Sequence, residues 1–88
     1  MPRYFFHVQD GQDIRDNEGT ELPSLKAARV AAVQVAGRLL SEHADEVWTS
    51  SDWQMDVTDH TGLLLFTLMF SATMAPAARG GGRVMSGR

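Results

Sequence analysis

An α+β fold is predicted, β-β-α-β-β in order, with a single helix packed on one face of a mainly antiparallel four-stranded sheet. Three observations predict it. Arg3–Val8 is rich in aromatic residues and stops at Asp10-Gly11, a turn dipeptide. After Ser24, apolar residues recur at three- and four-residue steps. Trp53–Thr58 and Leu63–Thr73 are strand-like runs separated by Asp59-His60-Thr61-Gly62, a four-residue hairpin turn closed by glycine.

In the first strand Tyr4, Phe6 and Val8 share one face, and Arg3, Phe5 and His7 the other. Gln12–Asp16 is a short return strand anchored by Ile14, and residues 17–23 form a loop. Ser24 is the expected N-cap, its hydroxyl accepting from an otherwise orphaned amide of the first turn. The helix it opens runs from Leu25 to Glu42 or His43, burying Leu25, Ala28, Ala32, Val35, Ala36 and Leu39. The expected core comprises Tyr4, Phe6, Leu39, Phe66 and Phe70. A second helix stripe of Val30, Val33, Gly37 and Leu40 lies about 100° around from the first; it is read either as a wide buried arc with Val30 tolerated in water or as a subunit contact.

The folded body is expected over residues 1–74. Residues 75–88, with four glycines, three arginines and few apolar side chains, read as a disordered tail. The 88-residue chain has no cysteine, which excludes disulfides and thiolate metal sites and leaves oligomerisation as the supplement to a thin core. No run approaches the ~20 apolar residues of a membrane helix, and no basic stretch leads into a long apolar one at the N-terminus, so a cytoplasmic location is expected.

The opening residues Met1 to Phe6, the Asp10-Gly11 turn, Asp16, residues 18–23 (Glu-Gly-Thr-Glu-Leu-Pro) and Ala27-Ala28-Arg29 resemble a family of short bacterial proteins catalogued as a domain of unknown function. The resemblance covers roughly residues 1–74 and implies a compact α+β body. It implies no activity and no catalytic residue.

Chemistry-bearing patterns are sparse. Asp10, Asp13, Asp16, Glu18 and Glu21 cluster early, but a calcium loop counted from Asp13 would need a ligand where Arg15 stands and glycine where Glu18 stands. No metal site or cofactor is expected. His7, His43 and His60 fall on a strand, a helix end and a hairpin tip, with no nucleophile placed beside them by local spacing. The expectation is therefore a non-enzymatic domain with no small-molecule substrate.

The strongest hint is apolar surface. If one helix covers one sheet face, Phe5, Leu63, Leu65 and Met69 line the other as an interaction patch, with Val30 and Val33 as the helix alternative. A protein-interaction or self-assembly module, as a homo-oligomer or with a protein partner, is the leading reading. The alternative is a small regulatory nucleic-acid binder using Arg79, Arg83 and Arg88 of the tail. Residues 1–75 disfavour it, because five cations against eleven acids leave them at −6.

Overall fold

The computed structural model describes residues 1–48 and 52–75; residues 76–88 of the expected tail, with Arg79, Arg83 and Arg88, lie outside them. It is an α+β fold with one helix on an antiparallel sheet, in the order β-β-β-α-β-β. The strands are β1 (Arg3–Gln9), β2 (Asp13–Ile14), β3 (Thr20–Glu21), β4 (Trp53–Thr58) and β5 (Leu64–Phe70). The helix α1 spans Leu25–Glu42, and a short 3-10 turn follows at Glu46–Trp48.

The sheet runs β2-β1-β4-β5, and β3 also pairs with β1. β1 pairs with β4 from Phe5 opposite Thr58 to Gln9 opposite Gln54. β4 pairs with β5 from Trp53 opposite Phe70 to Val57 opposite Phe66. The first return segment differs from expectation. Only Asp13 and Ile14 pair with β1, and the expected loop contributes a further strand, Thr20–Glu21, opposite Tyr4 and Arg3. Between them the Asp16 carboxylate takes over the role of a strand by accepting the Phe6 amide at 3.1 Å. β2, Asp16 and β3 thus follow one another down one edge of β1.

Helix α1 begins as the sequence indicates. Ser24 Oγ accepts from the Ala27 amide at 3.1 Å, and at the far end the His43 amide donates to the Leu39 carbonyl. Ala28, Ala32 and Ala36 form its buried stripe, and their small side chains bring the helix close to the sheet. They pack with Tyr4, Val8, Trp53, Met55 and Val57, among which Met55 and Val57 are the large side chains fully withdrawn from water. Phe6, Leu39 and Phe66 are half-buried against this cluster. Phe70 departs from the expected core, being 41% exposed at the end of the outermost strand, and Leu25 likewise stays largely in solvent.

The β4–β5 hairpin carries a second correction. Its register shifts between Val57 and Thr58, so that Val57 faces Phe66 but Thr58 faces Leu64, leaving Leu65 as an extra residue. Such a bulge re-aims a side chain out of strict alternation. Leu65 accordingly packs against the core rather than lining the open face. Leu63 belongs to the turn, where its amide donates to Asp59 Oδ1.

Candidate interaction surface

An α-helix is about 10–12 Å across with its side chains, whereas four strands spaced by about 4.8 Å place the outer two about 14 Å apart. One helix therefore cannot cover the whole sheet. Here α1 sits over the β1–β4 half, and β5 extends beyond it. An apolar groove of ≈220 Å³ results, walled by Val33, Gly37 and Leu40 on the helix and by Leu68 and Phe70 on β5, with Met69 at its rim. Val33 and Met69 are 60% and 73% exposed. A second shallow depression lies along the same helix flank between Lys26, Arg29, Val30 and Val33.

The outer edge of β5 has no strand beside it among the described residues. Residues 61–78 contain no charged side chain. Exposed edges are normally blunted with lysine, proline or a very short strand, and seven-residue β5 carries neither lysine nor proline.

The sequence-predicted interface residues fall in four places. Val30, Val33 and Met69 border the groove and its flank. Leu63 projects from the hairpin turn, and Leu65 turns inward. Phe5 is half-buried beneath the acidic loop, its ring so near Gly19 that a Cβ there would stand 2.8 Å from Phe5 Cε2. The open sheet face is consequently no apolar patch. Across its middle runs a polar row, with His7 opposite Asp56 and Asp56 opposite Thr67. Asp56 Oδ1 accepts from Gln54 Nε2 at 2.8 Å and from Thr67 Oγ1 at 3.0 Å.

One contact with catalytic geometry escaped the sequence reading. His7 Nε2 lies 3.2 Å from Thr58 Oγ1, both residues being buried. The Asp16 amide donates to His7 Nδ1 at 3.1 Å. Because Nδ1 accepts, the neutral ring carries its proton on Nε2 and donates it to the hydroxyl. A general base would need the reverse tautomer, with Nε2 free to accept the hydroxyl proton and Nδ1–H oriented by a carboxylate. The Asp16 carboxylate is spent on backbone amides instead, those of Phe6, Glu18 and Gly19 at 3.0–3.1 Å. Burial pushes the Asp16 carboxyl up, but those three hydrogen bonds and nearby His7 outweigh it and hold the group below the ordinary carboxylate range.

Among the described residues, no group of three or more His, Asp or Glu side chains is placed to hold a metal ion. The small pocket between Asp10, His43, Glu46, Val47 and Trp53 has ≈50 Å³, far below the about 300–1,000 Å³ of small-molecule sites. The described residues contain no helix long and apolar enough to cross a membrane.

Neither the curated proteins nor the solved structures contain a match to this chain. A family described as Domain of unknown function (DUF6894) matches residues 3–71, from the first residue of β1 to just past the end of β5. With that match spanning the whole sheet and its helix, the chain belongs to the DUF6894 family.

Proposed function

We propose that this chain is a small non-enzymatic protein-interaction module that engages a protein partner along the α1–β5 groove and the adjoining edge of β5. The observation that supports this reading is the incomplete cover of the sheet. It leaves Val33, Met69 and Phe70 in water beside an uncharged strand edge that, among the described residues, has no strand paired to it. Exposed apolar surface next to unpaired backbone is the arrangement used when a partner adds a strand to a sheet, with main-chain hydrogen bonds for affinity and side-chain pockets for specificity. At ≈220 Å³ the groove is too small and too open for a typical small-molecule ligand, and it suits side chains of a macromolecule.

A photo-crosslinking amino acid placed singly at Val33, Met69 or Gln12 of the full chain, in living cells, tests the reading. Protein adducts are expected at Val33 and Met69 and none at Gln12, which is exposed in the turn between β1 and β2. Absence of adducts at both groove positions would overturn it.

A further inference from the structure

We propose that the occupant of the β5 edge is a second copy of this chain, added antiparallel to β5 about a two-fold axis at Thr67. The inference rests on the interaction reading above and names its partner.

Charge is the first argument. Residues 1–75 carry a net of −6, so two copies repel across most of their surfaces. Residues 61–78, which include β5, are free of charged side chains and can approach their own copy without bringing like charges together.

Register is the second. A two-fold axis at Thr67 sets Thr67 against Thr67 and Phe66 against Leu68 of the other copy, while toward the hairpin the bulge turns Leu65 to the core side. Phe66 and Leu68, both on the helix side of the strand, then meet their counterparts across the edge. Displacing the axis by one residue leaves two residues at one end of each strand without partners.

Room is the third. On the helix side the incoming Phe66 and Leu68 lie over the groove beside Gly37, where a built Cβ would meet no atom within 4 Å.

Size sets the strength. A seven-residue edge is about 23 Å long. Strand pairing over that length buries less than the ~800 Å² per partner of a standard interface, which places the dimer among small, reversible interfaces.

The absence of cysteine makes the geometry directly testable. Cysteine is introduced singly at Thr67, Met69 or Gln12, and each variant is oxidised mildly after circular dichroism confirms its fold. Directly opposed strand residues bring Cβ atoms within ~4.5–5.5 Å, close to disulfide distance. Thr67→Cys should form a disulfide dimer about tenfold faster than Met69→Cys or Gln12→Cys, whose symmetry mates lie far apart in this arrangement. Sedimentation equilibrium of the unmodified chain should show a reversible dimer. Met69→Lys should raise its dissociation constant about tenfold or more by charging the strand edge.

Equal oxidation rates at all three positions would overturn the register. A monomer at ~1 mM would overturn the second copy, that concentration being well above any micromolar dissociation constant. If that monomer still gave adducts to another protein at Val33, the interaction reading would stand alone. Without such adducts both would fall.

Discussion

Asp16 does the work of several residues. Its two carboxylate oxygens satisfy amides on β1 and in the following turn, and its own amide fixes the ring of His7. Its carboxyl titrates below the ordinary range in the folded chain, so its contribution is complete above the unfolded value of about 3.9 and fades as pH falls through the lower folded value. Asp16→Asn should therefore be less stable than the unmodified chain at neutral pH, and the gap should narrow below about pH 4, as read from urea midpoints across pH. Gly19 is constrained by the same loop. Its φ of +73° lies in the left-handed region, and a Cβ would stand 2.8 Å from Arg3 Cγ and Phe5 Cε2. Gly19→Ala should cost about 1–3 kcal/mol in chemical denaturation, whereas an unhindered loop glycine would gain slightly. The sequence marks Gly19 as a permissive backbone position in the loop, but the contacts of Asp16 were not legible there. There Asp16 is one of five clustered acids, and its partners, Phe6 and His7, are ten and nine residues away.

At the scale of elements, locally encoded features were legible and those set by three-dimensional fit were not. The Ser24 cap, both ends of α1, the limits of β4 and the Asp59–Gly62 turn follow from propensity, capping and turn chemistry over a few residues. β3 could not be read, because two residues of polar sequence become a strand only by lying beside β1. Leu65 was misassigned because the bulge interrupts the period of two on which face assignment depends. Phe70 was assigned to the core because alternation gives the face of a residue but not how far the helix reaches above it. Truncation separates the two positions. Met55→Ala, at a fully buried site on a central strand, should cost about 2–5 kcal/mol, and Phe70→Ala on the edge should cost under about 1.5 kcal/mol. Thermal melts of dilute protein, where association is negligible, provide the comparison. Of the six residues singled out for the interface, the sequence correctly identified apolar character at each. Their grouping required the sheet order, which brings the second helix stripe beside the end of β5.

For the whole molecule, charge separates the two readings of function. The chain has a net charge of −3. Association between two such chains should strengthen a few-fold from ~50 to ~500 mM salt, since screening weakens like-charge repulsion while apolar contact persists. Binding to a nucleic acid through Arg79, Arg83 and Arg88 would weaken steeply over the same range. Sedimentation across the salt series, with and without a short RNA, distinguishes them.

The two sides of the sheet differ in one respect that bears on how far assembly can proceed. The outer side of β1 is already occupied by β2, by the Asp16 carboxylate on the Phe6 amide, and by β3. Strand addition there meets only two-residue segments and a charged turn. The sheet can thus lengthen from β5 and not from the other end. In the dimer proposed above, a unit with one adhesive edge and one sealed edge would terminate growth as soon as it pairs, so the same apolar strand that would seed a fibre in a two-edged sheet would yield a closed, countable assembly.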